Sequence, residues 1–152
     1  MIVYRIGKTK HAGELAGEGA RLNGGRWNHK LVPCIYTSES RALALLEYSA
    51  NVGIEDIPRA LSITSIEIPD KGIFKPAVSD FPGDWSVSPS PASTKDFGSA
   101  FLKNTTYPVI RFPSIIIPEE FNYILNPLYN DKKIFRIVNI QDFVFDVRIK
   151  KK

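Results

Sequence analysis

The sequence predicts an α+β fold built as a single domain. Many short strand patterns occur with only two or three short helix patterns, which is typical of that fold class. The chain has 152 residues, 43% of them hydrophobic, so one domain of this length can bury a substantial core without disulfides. No internal repeat, heptad pattern or change of composition marks a second domain.

The first predicted elements are a strand, a glycine-rich segment and a second strand. Ile2, Tyr4 and Ile6 are spaced at the period of two that predicts a short strand. Residues 11–30 contain five glycines and predict a loop or short helix with tight turns. Residues 33–37 predict the next strand.

A helix is predicted from an N-cap at Ser38 to about Val52. Glu39 would lie in its first turn, where a carboxylate complements the helix dipole. Helical periodicity places Glu47 at the margin of the buried face and not on the opposite, solvent side. The residues predicted to face inward are Ala42, Leu45, Leu46 and Ser49.

Residues 61–68 predict a strand whose apolar phase slips midway, which indicates a bulge. Residues 69–91 are rich in Pro, Ser, Asp and Gly and predict a long surface excursion. Ser93 and Asp96 have the spacing of a capping box, which predicts a short helix to about Lys103.

The last third of the chain predicts three further strands. Residues 109–117 form a continuous apolar run, typical of a buried strand, in which Pro113 must lie at a bulge or at the end. Residues 134–140 and 143–149 predict the other two.

The charge of the chain is concentrated at its end. The formal net charge is +4 and the isoelectric point is near 9.2, but four cations lie within the last five residues, which hold no acid. The rest of the chain is therefore neutral. We interpret residues 1–147 as one domain and residues 148–152 as a basic tail, which weakens the case for nucleic-acid binding.

The remaining composition favours a cytoplasmic protein. A single cysteine, Cys34, excludes an internal disulfide framework, and only two histidines accompany it, so a zinc site is not expected. No apolar run approaches the roughly 20 residues that span a bilayer, and no signal peptide is recognisable. Neither a phosphate-binding glycine loop nor a G-x-S-x-G elbow occurs.

Residues 23–28 (NGGRWN) form the densest unusual segment. Two adjacent glycines allow close approach of a ligand, and Arg26 offers a planar fork for phosphate or carboxylate oxygens. Trp27 would pack beneath and fix the loop. The alternative is a plain turn with a surface arginine and a core tryptophan.

Tyr36 and Glu47 are further candidates. Tyr36 lies at the end of a predicted strand, where ligand contacts often collect, although its spacing alone favours a half-buried strand residue. A carboxylate at the edge of an apolar helix face is uncommon unless it is paired, and Arg26 or Arg5 could be the partner of Glu47. The alternative is a boundary glutamate that reaches water.

Polar residues also interrupt the later strands. Ser114 lies within the strongest apolar run and needs a hydrogen-bond partner. Asn126 precedes a proline and could cap a turn, and structural roles are favoured for both Asn122 and Asn126.

Six of these segments, taken together and in order, resemble the RES domain, a family of bacterial toxins named after characteristic Arg, Glu and Ser positions. They are residues 4–6 (YRI), 24–28 (GGRWN), 35–38 (IYTS), 42–47 (ALALLE), 112–114 (FPS) and 122–127 (NYILNP). The resemblance covers nearly the whole chain, so residues 1–147 would be a single RES domain.

The resemblance implies an ADP-ribosyltransferase-like fold, in which a β-sheet core and short helices surround a cleft for NAD. It implies cleavage of the nicotinamide–ribose bond, with phosphate as acceptor in some members and a protein in others. NAD would be a substrate, with no prosthetic group and no metal. The implied catalytic residues are Arg26, Tyr36 and Glu47. The implied NAD-binding residues are Tyr4, Arg5, Arg26, Tyr36, Ser114 and Asn126.

The resemblance also implies a partner, an Xre-type antitoxin encoded by the neighbouring gene, which occludes the cleft and binds DNA for the complex. Two other functions stay open. One is an ADP-ribosyltransferase that modifies a protein target. The more distant one is a non-enzymatic nucleic-acid-binding domain that uses aromatics such as Trp27, Trp85 and Tyr107.

Overall fold

A computed structural model describes residues 1–131 and 133–150 and confirms the α+β class; Lys132, Lys151 and Lys152 lie outside the described residues. The described strands form one seven-stranded sheet. Its strands are β1 (Ile2–Lys8), β2 (Ile35–Ser38), β3 (Leu61–Glu67), β4 (Ile73–Phe74), β5 (Val109–Pro113), β6 (Phe121–Leu125) and β7 (Arg136–Phe143). The helices are α1 (Glu18–Asn23), α2 (Arg41–Asn51) and α3 (Ala92–Asn104).

The sheet is divided at its middle. The strand order is β4-β5-β6-β2-β1-β3-β7, and all neighbours are antiparallel except the short parallel pair of β4 and β5. Strands β1 and β3 are paired along the whole of β1, from Ile2 to Lys8. Between β1 and β2, by contrast, the ladder consists of the single pair Tyr4 and Ser38. The two halves of the sheet therefore diverge beside this pair.

The largest core cluster lies on the β5–β6 half and is mainly aromatic. Trp27 stacks on Phe112 of β5 with the ring centroids 3.8 Å apart and the ring planes 8° apart. Phe81 packs against both rings, at 5.3 Å from Trp27 and 5.7 Å from Phe112. Each such aromatic pair contributes about 0.5–1.5 kcal/mol beyond the burial of its area. This cluster fixes the glycine-rich loop to the sheet.

The helix α2 begins two residues later than predicted. Ser40, not Ser38, is its N-cap, and the Ser40 Oγ accepts a hydrogen bond from the backbone N–H of Leu43 at 3.0 Å. Ser38 is instead the last residue of β2. Glu39 therefore precedes the helix, and its Oε1 accepts a hydrogen bond from the N–H of Phe121 at 3.2 Å rather than facing the helix dipole.

The buried face of α2 is also rotated from the prediction. Its buried residues are Leu43, Ala44 and Ser49, whereas Ala42 is exposed. Glu47 is half-buried, so its predicted place at the margin of the buried face is confirmed. The apolar residues that α2 buries most deeply are therefore Leu43 and Ala44, and Ser49 is buried as predicted.

The segment of residues 69–91 is only partly a surface excursion. It contains β4 and a 3₁₀ turn at Val78–Asp80, and the side chain of Phe81 is buried in the aromatic cluster. The predicted capping box is wrong: α3 starts after Pro91 without a side-chain cap, and the Ser93 hydroxyl donates to Asp84 instead. No described helix is long and apolar enough to cross a membrane.

The last strands match the prediction in number but not in position, because β6 (Phe121–Leu125) was not predicted. Strand β5 ends at Pro113. A bulge and the strand end were the two positions expected for this proline, and the structure places it at the end. The two strands predicted after residue 133 are one strand, β7, followed by a 3₁₀ turn at Val147–Ile149. The irregularity predicted in the third strand lies between Ser65 and Ile66, but the additional residue is Val138 of β7, so β3 itself pairs evenly with β1.

Candidate active site

An open cleft of about 740 Å³ is lined by residues of both β1 and β2, the strands that diverge at the middle of the sheet. Its walls also include residues of helix α2, the loop after α1 and residues 88–90, together with Lys95, Pro113, Ile115, Ile116 and Asn122. Five of the predicted site residues line this cleft: Tyr4, Arg5, Arg26, Tyr36 and Glu47. In residues 1–131 and 133–150, no three His, Cys, Asp or Glu side chains are grouped to hold a metal ion.

The loop after α1 is held as a small hairpin. Gly25 and Asn28 form an isolated antiparallel bridge, and the Asn28 side chain is fully buried. Its amide donates to the carbonyls of Ala20 and Val32, both at 2.9 Å. With Trp27 stacked in the core, these contacts hold the intervening Arg26 at the rim of the cleft. The prediction that Trp27 packs beneath the loop is confirmed.

The guanidinium of Arg26 is oriented by two neutral groups. Its Nη1 donates to the carbonyl oxygens of Trp85 at 2.9 Å and Val87 at 2.8 Å. Burial lowers the pKa of Arg26, while the nearby Glu47 carboxylate acts in the opposite direction. Arg26 therefore keeps a positive charge that no ion pair among the described residues neutralises.

The phenol of Tyr36 fixes the hairpin from below. Its hydroxyl donates to the Asn28 Oδ1 at 2.7 Å and accepts a hydrogen bond from the N–H of Trp27 at 3.0 Å. Gly25 allows this approach, since a Cβ there would lie 2.6 Å from the Tyr36 oxygen. Burial raises the pKa of Tyr36 well above its usual value of 10.0, so the phenol is neutral at physiological pH.

The carboxylate of Glu47 is held by two donors on one oxygen. Ser114 Oγ and Asn122 Nδ2 each donate to Glu47 Oε1 at 2.7 Å. The Ser38 hydroxyl in turn donates to Asn122 Oδ1 at 2.6 Å. No donor among the described residues reaches Oε2, so the second oxygen is the one available to a molecule in the cleft. Neither arginine proposed from the sequence forms an ion pair with Glu47.

Ser114 lies behind Glu47 and does not line the cleft. Its side chain is fully buried, and its hydroxyl acts on a ligand only through Glu47. The hydrogen-bond partner that Ser114 was expected to need is the Glu47 carboxylate.

Asn126 does not line the cleft, so the structure does not place it with the other residues that the resemblance implies for NAD binding. It is fully buried at the end of β6, where its amide donates to the Leu102 carbonyl at 2.9 Å and its oxygen accepts from the N–H of Leu128 at 3.0 Å. These bonds use the amide to cap the turn that Pro127 begins, which is the structural role that was favoured for it.

Arg5 lines the cleft but is bound mainly to protein. Its Nη2 donates to the Ala12 carbonyl at 3.0 Å, its Nη1 lies 3.9 Å from a carboxylate oxygen of Glu14, and 17% of its side chain is exposed. It therefore anchors the loop after β1. Tyr4, its neighbour, is half-buried, and the guanidinium of Arg41 lies 4.4 Å from the centre of its ring.

Sequence reasoning missed three residues of this cleft: Ser38, Lys95 and Asn122. Asn122 was given a structural role, although it holds Glu47 directly. The signal that could have found it is the pairing of β2 with β6, which places Asn122 opposite Ser38. Lys95 had no motif around it, and only the packing of α3 brings it to the cleft.

Known proteins are similar to this chain in fold and in sequence. A chain in the crystal structure of the M. tuberculosis MbcT–MbcA toxin–antitoxin complex superposes with a TM-score of 0.76 at 18% sequence identity, over 93% of this chain and 83% of that one. The Toxin Res of Yersinia enterocolitica is 34% identical over 152 residues, which are 99% of this chain and 100% of the toxin. The Prs ADP-ribosylating toxin of Sphingobium sp. is 31% identical over 148 residues, 95% of this chain and 92% of that protein.

These similarities define the class, which is that of the Res toxins. The family model described as RES domain matches residues 2–147. The chain therefore belongs to the RES domain family.

Proposed function

We propose that this protein is the toxin of a toxin–antitoxin pair and that it cleaves NAD at the nicotinamide–ribose bond, with phosphate as the acceptor. One observation carries the proposal: Glu47 is held in the cleft by Ser114 and Asn122 with one carboxylate oxygen left for a ligand. The family membership and the relative named as ADP-ribosylating support it.

The chemistry suits a fixed carboxylate. When the bond between the ribose C1′ and the nicotinamide nitrogen breaks, the electron pair leaves with neutral nicotinamide and positive charge develops on the ribose. A carboxylate that is already oriented stabilises this charge at no cost of reorganisation. Glu47 Oε2 faces this charge, and a phosphate oxygen then forms the new bond to C1′.

Arg26 and Tyr36 complete the proposed site. Arg26 binds phosphate oxygens of the dinucleotide with the donors that Trp85 and Val87 do not use. Tyr36 presents its ring to the cleft while its hydroxyl is engaged below, so it packs against the ligand and excludes water.

The test is an assay of the purified protein with NAD, with and without phosphate, read by the identity of the products. We expect release of nicotinamide and a phosphate-dependent ADP-ribose product. Glu47→Gln should lower the rate roughly 100-fold or more. The matched control is Glu119→Gln, which changes an exposed glutamate outside the cleft. If wild-type protein leaves NAD intact with phosphate, without it and with lysate proteins added, the proposal is wrong.

A second candidate is transfer of ADP-ribose to a protein, which the Sphingobium relative favours because it is named for ADP-ribosylation of Prs. The same residues would act, and only the acceptor would differ. Labelled NAD with lysate separates the two, since label on a protein band supports this candidate and a small labelled product supports phosphorolysis.

The proposed partner is an antitoxin of the Xre type that covers the cleft. The similarity to a chain from a toxin–antitoxin complex supports an antitoxin partner. Expression of this chain alone should arrest growth, and co-expression of the neighbouring gene should restore it. The nucleic-acid alternative loses support, because Trp27 and Trp85 pack in the aromatic core and Tyr107 stacks on Phe74 at 4.6 Å.

A further inference from the structure

Lys95 is a half-buried cation that lines the cleft from helix α3. Its ammonium donates to the carbonyl oxygen of Gly25 at 2.7 Å. It takes part in none of the ion pairs formed among the described residues. A lysine ammonium has three donors, so two remain after this bond.

Arg26, the neighbouring cation, also forms no ion pair among the described residues. Arg26 follows Gly25 in the chain, and its guanidinium is bound by two neutral carbonyls. The two nearby acids are engaged elsewhere: Asp84 accepts from Ser93 at 2.5 Å, and Asp96 contacts His29 at 2.5 Å. Two partly desolvated cations therefore face one side of the cleft without an ion pair to any described acid, and the Glu47 carboxylate acts on Arg26 only from a longer distance.

Three arginines outside the cleft, by contrast, are paired with a carboxylate at close range. Arg21 binds Glu18 at 2.9 Å, Arg136 binds Glu67 at 2.7 Å and Arg148 binds Asp146 at 2.6 Å. Partly buried cations without a counter-ion are costly to keep. An anionic ligand that supplies the missing charge removes that cost.

We propose that Lys95 and Arg26 together form a phosphoryl-binding subsite at the end of the cleft formed by the hairpin and α3. The inference rests on the proposed function in one respect, that the ligand is a phosphate-bearing nucleotide. Lys95 is a binding residue that sequence reasoning did not include. It contributes to NAD binding, as was expected of Arg5, whose Nη2 is bound to the Ala12 carbonyl and whose Nη1 faces Glu14.

The subsite also explains why the hairpin is held so firmly. Lys95 binds the Gly25 carbonyl and Arg26 is the next residue, so both cations are fixed to one short turn. A rigid pair of donors loses little entropy when it binds the oxygens of a diphosphate. The Ser88 and Ser90 residues line the same cleft.

Two sources of phosphoryl oxygens are possible, the diphosphate of the dinucleotide and free inorganic phosphate, and separate measurements distinguish them. Calorimetric titration of the full chain with ADP reports the first source. The KM for inorganic phosphate in NAD cleavage, or its Kd by titration, reports the second.

Lys95→Gln is the main variant, because it removes the charge and keeps a group that can donate to Gly25. We expect the Kd for ADP to rise about tenfold, with the Kd or KM for inorganic phosphate unchanged. If only the Kd or KM for inorganic phosphate rises, the subsite binds the acceptor phosphate and not the dinucleotide, and this result also supports the proposal. Unchanged values for both ligands would overturn it.

Two further variants serve as controls for Lys95→Gln. Lys103→Gln changes an exposed lysine of the same helix that does not line the cleft, and it should leave both constants unchanged. Lys95→Arg restores the charge and should return ADP binding to within about threefold of wild type. If Lys95→Gln proves unstable in a thermal melt, weak ADP binding by a folded Lys95→Arg protein would count against the proposal.

ADP binding needs no turnover, so failure of this inference is distinguishable from failure of the proposed function. If the protein binds ADP through Lys95 but leaves NAD intact, the subsite is supported and the proposed NAD-cleaving activity is wrong. If the protein cleaves NAD while Lys95→Gln binds both ADP and inorganic phosphate as tightly as wild type does, the proposed function is supported and the subsite is wrong.

Discussion

Ser114 donates a hydrogen bond of 2.7 Å to Glu47 Oε1 although the two residues lie 67 positions apart. The serine oxygen also accepts hydrogen bonds from the N–H groups of Ile116 at 3.0 Å and Ile117 at 3.2 Å. A hydroxyl has one proton and two acceptor sites, so these contacts use its whole capacity. The two backbone donors orient the hydroxyl, and its proton points to the carboxylate.

Ser114→Ala should therefore lower the turnover of NAD. A hydrogen bond to a charged group contributes about 1.5–3 kcal/mol, which corresponds to a loss of roughly 10- to 100-fold in kcat if the bond orients the reacting oxygen. Steady-state kinetics measure the effect. Ser49→Ala is the control, since it removes a buried hydroxyl of α2 that bonds only to the Leu45 carbonyl. Equal kcat values for the two variants would show that Ser114 does not position Glu47.

Asn122→Asp should impair the site more strongly than Ser114→Ala. The substitution keeps the size of the side chain, removes the donor to Glu47 Oε1 and places a second carboxylate beside the first. Like charges at this distance favour protonation of one of the two, so we expect kcat to fall by more than 100-fold at neutral pH. Wild-type kcat together with an unchanged melting temperature would contradict this role for Asn122.

The sequence predicts those parts of the fold that depend on local pattern. Alternation identifies β1, and helical periodicity places Glu47 at a boundary. The missing N–H of Pro113 left a bulge or a strand end open, and the strand predicted to residue 117 ends at that proline. The N-cap of α2 was misplaced because Ser38 and Ser40 are both good caps, and only the pairing of Ser38 with β6 decides between them.

The candidate site was predicted where a motif carries its chemistry in adjacent residues, as in the Gly24–Asn28 segment. Where a role depends on long-range packing, the sequence was insufficient. Asn122 and Asn126 lie four residues apart on the same strand and its end, yet one holds Glu47 and the other caps a buried turn. Which amide faces the cleft depends on the register of β6 against β2, and no local pattern encodes that register.

Cys34 and Tyr36 predict a loss of stability at alkaline pH. Burial raises the pKa of the Cys34 thiol from 9.0 to about 12, although a hydrogen bond with Tyr36 acts in the opposite direction. Above pH 9 the unfolded chain releases a proton that the folded chain keeps, so the free energy of unfolding is highest below pH 9 and falls as the pH approaches about 12.

Urea unfolding at several pH values measures this loss. Cys34→Ala should reduce the slope between about pH 9 and 10 by up to about 1.4 kcal/mol per pH unit. Tyr36 contributes at higher pH, because its usual pKa is 10.0 and burial raises it. Identical slopes for Cys34→Ala and wild type would show that the thiol ionises as easily in the folded chain.

Gly98 is the contact point between α3 and the hairpin. A Cβ at this position would collide with the backbone carbonyl oxygen of Trp27, and backbone cannot move aside as a flexible side chain does. Gly98→Ala should therefore destabilise the protein by about 1–3 kcal/mol or more, despite the better helix propensity of alanine. Thermal and urea unfolding measure the change.

Gly19→Ala is the matched control for Gly98→Ala. Gly19 also lies in a helix, α1, and a Cβ there would meet no atom within 4 Å. Alanine should be neutral or stabilise the protein by up to about 1 kcal/mol at this position. If both substitutions stabilise the chain, α3 does not pack against the hairpin as described.

Lys150, a residue of the predicted basic tail, binds the C-terminal end of α2, the helix that carries Glu47. Its ammonium donates to the carbonyls of Ser49 at 2.6 Å and Val52 at 2.7 Å, at the C-terminal end of α2. The last carbonyls of a helix lack partners within it, and the negative end of the helix dipole attracts a cation. Lys150→Ala should lower the free energy of unfolding by about 0.5–2 kcal/mol. Lys75→Ala, at an exposed lysine outside the helices, should change it by less than about 0.5 kcal/mol. Equal stabilities of the two variants would mean that the tail does not hold α2, and that the positive charge at the end of the chain is independent of the cleft.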